Sequence, residues 1–147
     1  MDIKTQLTND LKEAMKSGDA VRKETVRLLR GAIKNAEIDA GHPFSDEEAL
    51  AVIAKQAKQR RDSIEQYKQA NRADLVAEEE AELAVIESYL PAQLSDEEIT
   101  TRAQAVIAEL GVTDMKGMGQ VMKRLSAELK GVADGKRISQ IVRGLLG

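Results

Sequence analysis

Apolar residues recur at helical spacing along almost the whole chain. Ile3, Leu7, Leu11, Ala14 and Met15 fall on one side of a helix from about Ile3 to Lys16, and Ser17-Gly18-Asp19 closes it, with Gly18 as its C-terminal cap. A second helix follows from Ala20 to Ala40 and ends at Gly41, with Val26, Leu29, Ile33 and Ala36 inward. His42-Pro43-Phe44 reads as a loop. Ser45-Asp46-Glu47-Glu48 is a capping box, the serine reaching forward and the glutamate back. It opens a long third helix to about Asn71, whose inner stripe is Ile53, Ala57, Ile64 and Tyr67. A fourth helix, Asp74 to Tyr89, is stopped by Leu90-Pro91.

Ser95-Asp96-Glu97-Glu98 is a second capping box. It opens three shorter helices, about Asp96 to Leu110, Asp114 to Leu129 and Lys136 to Leu146, punctuated by Gly111, Gly131 and Gly135. Met115, Met118, Met122, Leu125 and Leu129 share one face of the sixth helix and are expected in the core. Ile138, Ile141, Val142 and Leu145 do the same for the seventh. The predicted fold is all-α. Residues 1–90 form an N-terminal unit of about four helices, two of them long. Residues 91–147 form a C-terminal three-helix unit, with the boundary at Pro91 to Leu94.

Composition narrows the function. The chain has 147 residues and no cysteine, so disulfides, thiolate nucleophiles and Cys-ligated metals are excluded. No apolar run approaches the roughly 20 residues of a membrane helix. The N-terminus, MDIKTQLTNDLKEAMKSGD, lacks the apolar core of a secretory leader. A cytoplasmic protein with no membrane partner is the expectation. Only Phe44, Tyr67 and Tyr89 are aromatic. Base stacking is therefore scarce, and any nucleic-acid contact should go to phosphate and shape.

Charge is unevenly spread. Residues 1–90 hold 14 bases and 18 acids; residues 91–147 hold 8 and 7. From Met115 onward seven bases face two acids, a local +5 in a chain of net −3. A basic helical end on an acidic protein points to a polyanion, nucleic acid first. Within it, Lys136, Gln140 and Arg143 line one face of the last helix, with Arg137 about 100° away. Asp134 is expected to cap that helix, and the Gly135 amide with the adjacent cations can hold an anion. Gly117 and Gly119 weaken the sixth helix. Close approach of another helix or of a phosphate backbone accounts for them equally well.

On the second helix Lys23, Arg27, Arg30 and Lys34 fall within an arc of about 60°. This is either a solvated face, paired with the acids of the fourth helix, or a phosphate-contacting stripe. Those acids are Asp74, Glu78, Glu79, Glu80, Glu82 and Glu87. Arg60 lies in the apolar stripe of the third helix and must find a partner or snorkel, with an ion pair to an acid on a neighbouring helix favoured over a ligand role. His42 is the lone histidine, in a turn, so neither a hydrolytic triad nor a zinc site can be assembled, and no cofactor or metal is expected.

Five segments in order carry a resemblance. They are LRGAIKNAEID, KQRRDSIEQY, RADLVAEEEAEL, YLPAQLSDEEI and GMGQVMKRLSAELKGVADGKRISQIVRGLL. Over essentially its full length the chain resembles the GatB/YqeY family, and in particular its free-standing YqeY-like members. The C-terminal unit is similar to the tail domain of the B subunit of the glutamine-dependent aminoacyl-tRNA amidotransferase, a tRNA-contacting appendage that performs no chemistry. The resemblance implies a non-catalytic tRNA-binding protein. It directs attention to Gly117, Gly119, Gln120, Lys123, Lys136 and Arg143, and in the N-terminal unit to Arg30, Lys34, Asn35 and Arg60. A carbon–nitrogen ligase label with glutamine as amide donor would describe the relatives' complex. An alternative is a protein-interaction module associated with translation enzymes, such as aminoacyl-tRNA synthetase or amidotransferase components. Oligomeric state is left open.

Overall fold

The computed structural model describes residues 2–147. Among them there are seven α-helices, one short 3-10 turn and no strand, so the all-α expectation holds. The helices are α1 (Ile3–Ser17), α2 (Ala20–Ala40), α3 (Asp46–Gln69), α4 (Ala73–Glu87), α5 (Asp96–Leu110), α6 (Met118–Glu128) and α7 (Gly135–Leu146). Two compact units separate between Leu90 and Pro91.

In the first unit α1 and α2 pack as a hairpin, and α2 also packs on α3 and α4. The core is aliphatic: Leu7, Val26, Leu29, Ile33, Ile53 and Ile86 are buried, with Phe44, Tyr89 and Leu90 against its margin. Stop signals work as their chemistry requires. Gly18 and Gly41 adopt the left-handed conformation, with φ of 75° and 79°, which a Cβ would penalise. The capping box at α3 closes in both directions: Glu48 N–H donates to Ser45 Oγ at 3.3 Å, and Ser45 N–H donates to Glu48 Oε1 at 3.2 Å. One expected core residue is misplaced. Met15 is 57% exposed, because Ala14 already occupies the buried position of the last turn of α1.

In the second unit α5, α6 and α7 each pack on the other two. Ile99, Val106, Val121, Leu125, Leu129, Ile138 and Val142 fill the centre. Its entry segment is tied to the unit by Leu94 N–H to Val132 O at 2.8 Å and Gln93 Nε2 to Gly131 O at 3.0 Å. The sixth helix is shorter than its apolar pattern predicts. Met115–Gly117 form the 3-10 turn, capped by Asp114 accepting from Lys116 N–H at 2.9 Å, and α6 starts at Met118. Met115 consequently leaves the apolar face and is 44% exposed. Asp134 stands at the N-cap of α7 in extended conformation, yet its side chain makes no capping bond.

Candidate nucleic-acid interface

Ion pairing decides which cations remain available to a ligand. Arg60 does what its position in an apolar stripe demands: Nε lies 2.9 Å from Glu82 and 3.3 Å from Glu79, both on α4. Burial pushes the Glu82 carboxyl up, opposed by the Arg60 charge. Arg61 reaches Glu87 at 3.1 Å, and Lys68 reaches Glu80 at 3.8 Å. Four of the six acids of α4 thus answer α3, Asp74 pairs with Arg72 just ahead of its own helix at 3.1 Å, and none of the six pairs with the cationic stripe of α2 among the described residues.

On that stripe Lys23 and Arg27 lie 3.8 Å and 3.3 Å from Glu24. Arg30 and Lys34 are exposed and take part in no ion pair among the described residues. Asn35 is exposed beside them. Arg30, Lys34 and Arg27 border a shallow groove of about 420 Å³ between α1 and α2. At its far end Glu37 Oε2 accepts from Lys4 Nζ at 2.8 Å and from Phe44 N–H at 2.6 Å. The Lys4 bond, then the Phe44 amide, hold the Glu37 carboxyl below the usual carboxylate range. Lys4 and Gly31, which also line this groove, escaped the reading of the sequence. A glycine inside an otherwise regular helical pattern was the one available signal.

The C-terminal unit sorts its cations in the same way. Arg124 is held by Glu109 at 2.7 Å and Glu128 at 3.1 Å. Arg137 pairs with Asp96 in the first turn of α5 and holds that carboxyl low. With Asp96 and Asp134 both nearby, the head of α7 is less cationic than its sequence implies. Lys116, Lys123, Lys130 and Arg143 are exposed with no ion pair among the described residues. Gln120, Lys136 and Gln140 are exposed as well; Lys136 has a partner within the protein. Lys136, Gln140 and Arg143 occupy one face of α7 by their spacing.

The two glycines of the tail motif separate cleanly. A Cβ on Gly117 would meet the three side-chain carbons of Val112 at 2.3, 2.7 and 3.0 Å. Gly117 is therefore required by packing inside the protein. A Cβ on Gly119 would meet nothing within 4 Å. No contact within the unit asks for a glycine there, on the same face as Lys123 one turn later.

His42 is exposed, with Nδ1 2.9 Å from Pro43 O and Nε2 3.6 Å from Glu48. Among the described residues no three His, Asp or Glu side chains are grouped to hold a metal, and no helix is long and apolar enough to cross a membrane.

An all-helical chain with a basic C-terminal unit of this motif has known counterparts. The family described as Yqey-like protein matches residues 4–146, and the chain belongs to that family. Curated relatives are named "Altered inheritance of mitochondria protein 41, mitochondrial". That of Lachancea thermotolerans is 43% identical over 75% of this chain and 60% of its own length. That of Eremothecium gossypii is 39% identical over 76% and 63%, and that of Pyrenophora tritici-repentis is 32% identical over 97% and 80%. The chain spans about three-fifths of the length of the first of these relatives. Their names overturn the cytoplasmic placement, because these relatives are mitochondrial proteins by name. The absence of cysteine excludes disulfides and assigns no compartment. An import address is carried by an amphipathic leader rather than by a folded body.

Proposed function

We propose that the protein is a non-catalytic binder of structured RNA, tRNA in the first place, which it holds by phosphate contacts from its C-terminal unit. The carrying observation is Gly119. A residue that weakens a helix, with open space where its side chain would be, has no use in packing. It has a use if a ligand backbone must approach the helix closely. Lys116 and Lys123 flank it in sequence, both exposed and without an ion pair among the described residues, and Gln120 adds a neutral donor. Lys136, Gln140 and Arg143 extend the surface along α7. Arg137 joins it only by releasing Asp96. On this reading the partners are tRNA and, through it, enzymes that act on tRNA, such as synthetases or amidotransferase components.

The test is a titration of the full chain against total tRNA at low and near-physiological salt. Each lost phosphate contact lowers the slope of log affinity on log salt by roughly 0.7–0.9. Lys123→Ala, Lys136→Ala and Arg143→Ala combined should lower it by roughly 2–3. Unchanged affinity and slope in the triple variant would place the surface elsewhere.

A further inference from the structure

The N-terminal unit has a feature that folding does not use. Gly31 lies in the interior of α2, where a glycine weakens a helix. A Cβ there would meet nothing within 4 Å, so no neighbouring element needs it bare. Gly31 faces the groove between α1 and α2, beside Arg27, Arg30 and Lys34. Arg30 and Lys34 are the members of that row with no carboxylate partner among the described residues. Of the acids of α4 that might have neutralised the row, Glu79, Glu80, Glu82 and Glu87 are engaged with α3.

We propose that the α1–α2 groove is a second phosphate seat, taking a run of successive RNA phosphates along Arg27, Arg30 and Lys34, with bare Gly31 letting the strand reach the helix backbone. This rests on the RNA reading above and adds to it a separate surface on the other unit.

The form of the groove selects the ligand. Arg27, Arg30 and Lys34 step along the helix axis by about 4.5 and 6 Å, a row rather than a cup. A row suits a chain of charges, whereas a single small anion needs donors that converge. The floor, Leu7 and Ile33, is itself buried. No aromatic ring lines the groove, so it can neither stack a base nor supply the aromatic anchor that centres most protein interfaces. At the Glu37 end Lys4 is already matched to that carboxylate, which limits how far a polyanion extends.

The experiment uses the full chain and total tRNA, titrated across salt. The variants are Arg30→Ala/Lys34→Ala, Lys123→Ala/Arg143→Ala, their combination, and Gly31→Ala. The groove pair should lower the salt slope by roughly 1.4–1.8, two contacts' worth, and its effect should add to that of the C-terminal pair. Gly31→Ala should weaken binding while raising Tm by roughly 2–4 °C. That opposition of signs is one a merely structural glycine cannot produce. If the groove pair binds like the parent while the C-terminal pair loses slope, the groove is rejected and the RNA reading stands. If the parent itself does not bind, both are rejected. Gly31→Ala with full affinity overturns the seating against the helix. Displacement of tRNA by poly-glutamate at equal charge concentration overturns phosphate as the ligand in favour of an acidic protein segment.

Discussion

Gly117→Ala should destabilise the C-terminal unit, while Gly119→Ala should not. The new methyl at 117 would stand 2.3 and 2.7 Å from the two Val112 methyls and 3.0 Å from its Cβ, where carbon contacts prefer about 3.5–4.0 Å. Val112 cannot swing aside cheaply. Its β-branched side chain is stiff at χ1. Its backbone N–H is bonded to Ile107 O at 3.1 Å, and it follows the left-handed cap at Gly111, φ 67°. Overpacking of this kind costs about 1–3 kcal/mol. Alanine returns part of that as helix propensity, at most about 1 kcal/mol and less in a one-turn 3-10 segment. The net expectation is a loss of about 1–2 kcal/mol. The second unit contains no tyrosine or tryptophan, so the readout is hydrogen exchange of α5–α7 amides together with urea unfolding followed by far-ultraviolet circular dichroism. Val112→Ala opens the space, so the double variant should be more stable than the sum of the singles by about 1 kcal/mol or more. Gly117→Ala within about 0.3 kcal/mol of the parent, or strict additivity with Val112→Ala, would refute the packing account.

Three further outcomes follow from ion pairs and hydrogen bonds. Arg60→Met leaves Glu79 and Glu82 facing each other without their cation. It should cost roughly 2–3 kcal/mol at neutral pH, under the about 3–5 of a fully buried pair because all three groups retain some exposure; urea midpoints should show the loss shrinking as the pH falls and Glu82 takes a proton. Tyr89 donates to Asp10 Oδ2 at 2.5 Å, and its phenol is pushed up, by burial first and then by that bond. A raised folded-state pKa means stability that is present below the unfolded value near 10 and lost as the pH rises through the folded one. Tyr89→Phe should therefore lose about 1–2 kcal/mol at pH 7 and show less alkaline loss above about pH 10 in thermal unfolding. Asp96 is held low by Arg137, so its contribution is present above the carboxylate range and lost as the pH drops through it. Arg137→Met should lower Tm slightly at neutral pH, and the two melting curves should converge in acid.

Helices and their stops were legible because each is a local rule. Two capping boxes, glycines at the ends of α1, α2 and α5, and Pro91 after Leu90 are short-range chemistry, and the structure uses each of them. Departures occur where a second element decides. Nothing in the sequence around Met115 says that Gly117 will meet Val112, yet that contact accompanies the tight turn that takes Met115 out of the helical face. Nothing local says that Arg137 is occupied, because its partner Asp96 lies 41 residues away; for Arg124 the i,i+4 partner Glu128 was local, but Glu109, 15 residues away, was not. Arg60 was legible as an ion pair because a charge in an apolar stripe has few alternatives; which acids would answer it was not.

The same distinction bears on what the surface can do. Net charge gives −3 and a basic tail, and neither quantity identifies a contact. Pairing sorts the cations into those that hold helices together and those left to the solvent. Among the described residues the second class includes Arg30 and Lys34 at the α1–α2 groove, Lys123 on α6 and Arg143 on α7. It also includes Lys12 and Lys16 on α1, Lys55 and Lys58 on α3 and Arg102 on α5, so lack of pairing alone does not mark a site. At the α1–α2 groove and on α6 a glycine that packing does not require lies close by in the helix, Gly31 in one and Gly119 in the other. A free cation alone is ordinary surface, and a bare glycine alone is a small defect. Together they describe a helix that can be approached to its backbone by something negatively charged. On the RNA binding proposed above that something is a phosphodiester chain, and alanine at either glycine should then strengthen or spare the fold while weakening the complex. Alanine at Gly117, whose bareness serves Val112, should instead harm the fold first and binding only as a consequence.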